Sequence, residues 1–291
     1  MVRGLLTVAA ASIAAGLGPA VAHAYGWPIA PFAEQHAIRG FFDDPRLHVD
    51  ETGLEIGAFH FGVDISAPGG TPVYAVAPGT AYREADAVAV RDGAHEFSYW
   101  HVTPAVPEHS YVYEHELIGW VKATWGHVHF AESVDGRYVN PLRPGALEPF
   151  VDTTTPVVAS IYLVGAGAVA DVYDTPPIAP PPPWEDTRVT PALVRWRLLG
   201  PDAEDTTPWH VAADFRDALL APAEFEAVYA PGTSQNKPYR PGRYLFWLSH
   251  DLSPMLSERG AYRLEVEGED LAGNVGHGEL RLEGGLGRRG R

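Results

Sequence analysis

Apolar and polar residues alternate along much of the chain in short runs that turn signals interrupt. Gly57 to Ile65, Thr71 to Ala77, Thr80 to Tyr82, Val88 to Val90 and Trp125 to Phe130 are such runs, with Pro-Gly or Gly-Gly pairs between or beside them. They predict short antiparallel strands. Past Pro149 the pattern resumes over Val157 to Val164, Ala192 to Leu199, Glu224 to Tyr229, Arg243 to Leu248 and Ala261 to Glu267. In the last of these Tyr262, Leu264 and Val266 share one face, and Arg263, Glu265 and Glu267 the other. The turn-rich stretch from Asn140 to Pro149 divides the chain into a first β domain over 25–150 and a β-sandwich over 151–284. Prolines dominate Thr175 to Trp184 and offer no ladder donors, so this run reads as an inserted polyproline-like loop. The glycine- and arginine-rich residues 285–291 read as a disordered tail. The fold class is therefore all-β.

Composition narrows this further. Thirty glycines and 27 prolines in 291 residues exclude a helical bundle or coiled coil, and a hydrophobic share of 46% excludes wholesale disorder. With 37 acidic against 21 basic residues the net charge is −16, which argues against nucleic acid as a partner. The chain has no cysteine, so a metal would have to be held by His, Asp or Glu. Arg3, the apolar stretch from Leu5 to Val21 and the small-x-small triplet Ala22-His23-Ala24 have the layout of a secretory signal over 1–24, cleaved before Tyr25. The mature chain is expected to be secreted, free of the membrane and monomeric.

Candidate chemistry clusters in the first half. Nine of the thirteen histidines fall between His36 and His129. On a strand, Trp125, His127 and His129 would project to one side and Val128 and Phe130 to the core. Two imidazoles about 6–7 Å apart can both approach one metal centre, one as ligand and one as a neighbouring base. His60 and Asp64, from an adjacent strand and turn, can add a nitrogen and an oxygen ligand. Three protein ligands with one open position is the arrangement of catalytic zinc. Glu132, just after this strand, reads as a solvated acid, with orientation of a ligand imidazole as the alternative.

The text around these residues is more specific than their spacing. From His60-Phe61-Gly62-Val63-Asp64-Ile65 through Gly70-Thr71-Pro72-Val73 to Gly79 the chain meets every specified position of H-x-G-x-D-I/L-x-A-x-x-G-T-P-V-x-A-x-x-x-G. This pattern resembles the lysostaphin-type (LytM-like) zinc metallopeptidases, which cut peptide bonds in bacterial peptidoglycan. Tyr99-Trp100-His101-Val102 is similar to the family's Y-x-H-L element, and Gly126-His127-Val128-His129-Phe130 to its H-L-H-F element. Ile38 to Arg46 is similar to the entry strand and loop ahead of the first ligand. The resemblance covers about residues 28–149.

Carried over by position, the resemblance implies Zn2+ held by His60, Asp64 and His129, with His101 and His127 as the two catalytic histidines. One neutral imidazole would take a proton from water, and the other would hydrogen-bond the developing oxyanion. The implied partners are peptidoglycan peptides. The alternatives are a non-catalytic LytM-like regulator and a wall-binding protein with a structural metal. His36, His48, His95, His109 and His115 match no motif position and read as loop, surface or structural residues. Val121 to Gly126 replaces the family's glycine-rich turn, so the cleft is expected to be wider or differently lined. Downstream, Gly260 to Asn274 resembles the final strands and D-x-x-G-N turn of bacterial immunoglobulin-like sandwiches, which implies a binding or spacer role.

Overall fold

The computed structural model describes residues 24–49, 51–53, 55–201, 206–256 and 258–284. The signal expected over 1–24, apart from Ala24, and the tail 285–291 lie outside the described residues. Among the described residues regular structure is antiparallel β, with one short helical segment. No helix among the described residues is long and apolar enough to cross a membrane.

The first half is built on an eight-stranded sheet. Its strand order is Ile38–Gly40, Val63–Ser66, His127–Val134, His95–Trp100, Ala87–Asp92, Gly79–Arg83 and Tyr111–Val112, with Arg137–Val139 also paired to His127–Val134. Val63 and Ile65 are fully buried, while Asp64 and Ser66 between them face the other side. The alternation that predicts this strand thus also aims Asp64 away from the core. A smaller sheet, Pro72–Tyr74, Leu117–Val121 and Val102–Pro104, packs into the same core with Val73, Ile118 and Val102.

In the second half two sheets face one another. Val157–Val164, Gly167–Tyr173 and Leu245–Ser249 form one, and His210–Asp214, Leu193–Leu199, Gly260–Glu269 and Val275–Gly284 the other. Ala170, Val172 and Phe246 meet Val194, Trp196, Leu264 and Val266 in the core between them. On the opposite face of Gly260–Glu269, Glu265 and Glu267 pair across the strands with Arg197 and Arg195.

Three sequence expectations are corrected. Gly57 to Ile65 is two strands in different sheets, because the chain breaks at His60–Gly62 between Glu55–Phe59 and Val63–Ser66. Glu224 to Tyr229 is a short helical segment, Pro222–Glu224 followed by Phe225–Val228; Pro222 opens it, and Phe225 and Val228 bury the same side. Glu132 is no solvated acid. It is buried, accepts from the Tyr25 hydroxyl at 2.7 Å and holds Arg143 through both oxygens at 2.6 and 2.8 Å. The alternative role, orienting a ligand imidazole, is not what these contacts describe.

The two halves are joined by more than the chain between them. The hairpin of Pro45–Val49 and Glu55–Phe59 leaves the first core and seats Leu47 and Phe59 in the second. The Phe59 ring lies 5.3 Å from Phe225 and 5.9 Å from Tyr229. At its root, Asp43 and Asp44 are fully buried. The Tyr229 hydroxyl donates to the Asp43 carbonyl at 2.9 Å, and the Thr190 amide to Asp44 Oδ1 at 2.8 Å. Burial pushes the Asp43 carboxyl up to about 8 and, against the pull of Arg46, the Asp44 carboxyl up to about 7.

A carboxyl raised above its ordinary 3.8 keeps in the folded state a proton that the unfolded chain releases. Its contribution to stability is therefore full below about pH 4 and is lost as pH rises through about 8. Asp43 also sits at a φ of 62°, which asparagine tolerates. Asp43→Asn is expected to flatten this dependence and to raise the unfolding free energy at pH 8 by about 1–3 kcal/mol. Urea denaturation at pH 5 and pH 8 measures both effects.

Candidate metal centre

The central strand His127–Val134 lies between Val63–Ser66 and His95–Trp100, and its register sets His129 opposite both Asp64 and Trp100. His60 reaches the same point from the break before Val63. Its neighbour Gly62 must be glycine, because a Cβ there would meet the Phe130 carbonyl at 2.3 Å and His129 Nε2 at 3.0 Å. Gly40 on the edge strand leaves space in the same way for Arg46 and Asp64, which a Cβ would meet at 2.6 and 2.8 Å.

Donor atoms of His60, Asp64 and His129 lie within 4.8 Å of one another. His60 Nε2 is 2.7 Å from His129 Nδ1 and 3.2 Å from Asp64 Oδ1, and His129 Nδ1 is 3.1 Å from the same oxygen. Ligands about 2.0–2.1 Å from a tetrahedral zinc would stand roughly 3.3 Å apart, so these separations fit one ion. The protonation pattern fits as well. His60 Nδ1 donates to the Phe41 carbonyl at 2.7 Å, which leaves a lone pair on Nε2 facing the Asp64 carboxylate. Both acceptors lie within hydrogen-bond distance of His129 Nδ1, at 2.7 and 3.1 Å, so a proton on that nitrogen or a cation among the three would satisfy them.

Electrostatics keep the set in its ligating form. Burial drops His60 to about 3, with Arg46 acting the same way, and burial also lowers His129. Burial opposes ionisation of Asp64, but His60, His127 and Arg46 outweigh it and hold the carboxyl well below the usual range. Arg46 Nη2 donates to Asp64 Oδ2 at 2.9 Å, which leaves Oδ1 to face the imidazoles.

His127 and His101 stand beside this trio. His127 Nε2 is 3.3 Å from Asp64 Oδ1, and the His101 and His127 rings are 4.7 Å apart. Arg39 Nη2 donates to His127 Nδ1 at 2.5 Å and to the Trp125 carbonyl at 3.2 Å. His127 Nδ1 is also 3.0 Å from the Trp125 carbonyl; because a guanidinium can only donate, Nδ1 is assigned as the acceptor and the His127 proton to Nε2, pointing into the site. His101 has the opposite arrangement: Nδ1 donates to Asp86 Oδ2 at 3.0 Å, so Nε2 carries the lone pair. Lys122 braces the other Asp86 oxygen. His101 sits at a φ of 66°, a sparsely populated conformation that turns its ring onto Trp125, with centroids 3.7 Å apart. Burial, reinforced by His127, lowers His101 to about 4.

These residues floor a cleft of about 550 Å³ walled by Phe61, Trp100, Trp125 and Trp184. Trp125 is 44% exposed, and so serves as a wall, not as core. Trp184, Gln235 and Asn236 come from the second half, and the Trp184 ring lies 4.4 Å from the Arg39 guanidinium. All five sequence-selected residues are thus brought together. His115 is remote from them, stacked on Phe32 at 4.0 Å. The partners Arg39, Arg46 and Asp86 have no chemical signature in the sequence. Arg39 and Arg46 are present there only as part of an entry strand, and Trp184 only as the end of a proline-rich run.

No family model matches the chain, and no curated protein does. Solved structures do match. Csd3 from Helicobacter pylori is 21% identical over 44% of this chain and 36% of its own, with a TM-score of 0.35. A zinc-containing peptidase from Vibrio cholerae is 24% identical over 40% of this chain and 39% of its own, with a TM-score of 0.34. The catalytic domain of the prophage-encoded M23 protein EnpA from Enterococcus faecalis is 24% identical over 44% of this chain and 99% of its own, with a TM-score of 0.31. The match thus spans less than half the length of the first two proteins.

A histidine whose folded-state pKa is depressed stabilises the fold fully above its ordinary value, and that stability is lost as pH falls through the folded value. For metal-free protein, stability from His60 and His101 is therefore expected to decline from about pH 6.5 downward, towards about 3 and 4. In NMR titrations their ring resonances should stay at neutral positions from pH 8 to pH 5. Midpoints near 6.5 would contradict the burial argument.

Proposed function

We propose that this chain is a secreted zinc-dependent endopeptidase that hydrolyses peptide bonds of bacterial peptidoglycan. One observation carries the reading: His60, Asp64 and His129 converge on one point, flanked by the rings of His127 and His101, whose outer nitrogens contact Arg39 and Asp86. In this reading those three residues hold the zinc. The ion supplies Lewis-acid polarisation of the scissile carbonyl and acidifies water.

The chain's own residues supply the proton transfers. His101 presents its Nε2 lone pair, so it takes the proton of the attacking water, and Asp86 stabilises the imidazolium that results. His127 presents Nε2–H and donates to the carbonyl oxygen as it gains charge. Arg39 keeps that tautomer in place, since a guanidinium can only donate. His101 then returns its proton to the leaving amine. The net charge of −16 gives no steering towards an anionic polymer, so binding rests on the aromatic walls and on metal coordination. The two-sheet second half is read as an immunoglobulin-like spacer that also closes one side of the cleft through Trp184.

The test uses residues 25–291, with bound zinc and muropeptide release both measured. The parent is expected to bind one zinc per chain and release peptide fragments. His129→Ala should lose both properties, whereas His127→Ala should keep the metal and lose about 10²–10⁴-fold in turnover. A parent that binds no zinc would support the non-catalytic regulator, and one that binds zinc without releasing fragments the structural-metal reading. Trp184→Ala should raise KM about three- to tenfold, as expected of a cleft wall, with a smaller fall in kcat because the ring also packs on Arg39, which holds His127.

A further inference from the structure

A second group of ligating atoms lies far from the histidines in sequence. Asp152 is just past the junction between the halves, Asp174 follows the strand Gly167–Tyr173, and Asp270 opens the turn between Gly260–Glu269 and Val275–Gly284. Their donor atoms lie within 4.8 Å of one another, and the residues are 7%, 1% and 5% exposed. Three carboxylates this close and this buried would ordinarily be neutralised by arginine or lysine. Among the described residues, no cation takes part in their interactions. Amides and hydroxyls hold them instead. Asp152 Oδ1 accepts from Thr154 N and, at 2.6 Å, from Thr154 Oγ1; Asp174 Oδ1 accepts from Thr175 N and lies 3.3 Å from the same hydroxyl; and Asp270 accepts from Ala272 N, Asn274 N and Asn274 Nδ2.

A separate observation points to a ligand. Asp174 Oδ2 is buried and accepts no hydrogen bond at all. The three side chains also line a cavity of about 10 Å³, room for a single water-sized occupant. The donors are oxygens only, which selects a hard cation over zinc. Calcium takes oxygen ligands in a flexible geometry, whereas magnesium demands a near-ideal octahedron, so calcium is the ion proposed and tested.

We propose that Asp152, Asp174 and Asp270 form a structural calcium site that fastens the junction between the two halves to the turn of the last hairpin. The site is independent of the histidine cluster and of any peptidase activity. The neutral alternative is a cluster in which the three carboxyls share protons and bind nothing.

The experiment uses residues 25–291, stripped with chelator and reloaded with one equivalent of zinc. Calorimetric titration with calcium chloride should give one further site per chain. Calcium at a hundredfold excess over its Kd should raise Tm by about 5–10 °C. Asp174→Asn and Asp152→Asn should each abolish the calcium heat and the shift; if one fails to fold, the other decides. His129→Ala should retain the full calcium response. Absence of calcium binding to the parent overturns the proposal, as does a calcium response that survives both aspartate variants or disappears with His129→Ala.

Discussion

The candidate centre depends on one piece of strand register. Val63–Ser66 pairs with His127–Val134 so that Asp64 stands opposite His129 and Ser66 opposite His127. A slip of one residue would turn both histidines into the core and bring Val128 and Phe130 out to the cleft. That register is enforced from the other face, where Val63, Ile65, Val128 and Phe130 are all fully buried. The hydrophobic core therefore does the positioning, and the polar residues occupy the places left to them.

The arrangement is electrostatically expensive. His60, His127 and His129 are almost entirely buried around a carboxylate, and desolvation alone would drive such a group apart or neutralise it. Arg46 offsets this on the Asp64 side and Arg39 on the His127 side, each donating to the atom that faces away from the centre. Asp86 does the converse for His101. With these outer contacts the rings of His60, His101 and His127 are held in orientation before any ion or substrate arrives, whereas His129 Nε2 is buried without a hydrogen-bond partner. Such preorganisation distinguishes a site from a chance cluster of histidines.

How much of this was legible follows from where the information lies. The all-β architecture and the five clustered residues are readable because alternation and motif spacing are local properties of the chain. Arg39, Arg46 and Asp86 are not, because their roles exist only through contacts between residues 15 to 88 positions apart. Glu224 to Tyr229 misleads because a run that could alternate as a strand also places Phe225 and Val228 on one helical side, and Pro222 decides between the two. The break at His60–Gly62 is invisible in hydropathy. It is made by backbone proximity to Phe130, which the sequence records only as a glycine. The burial of Glu132 is hidden for a related reason: its partners Tyr25 and Arg143 lie 107 and 11 positions away.

The same non-locality bears on the second half. Sequence divides the chain near residue 150, yet Phe59 and Leu47 sit in the later core, and Val189 and Leu271 in the earlier one. Trp184 closes over Arg39, which in turn holds His127, so a residue from the proline-rich loop is two contacts away from the centre. A spacer attached by a flexible linker could not maintain such a chain of contacts. Exchange of core residues makes the geometry of the cleft a property of both halves together. A change in how the halves pack would then be felt at His127 through Arg39, and at His60 through Phe59 beside it and through Asp44, whose carbonyl accepts from the His60 amide and whose carboxylate accepts from Thr190.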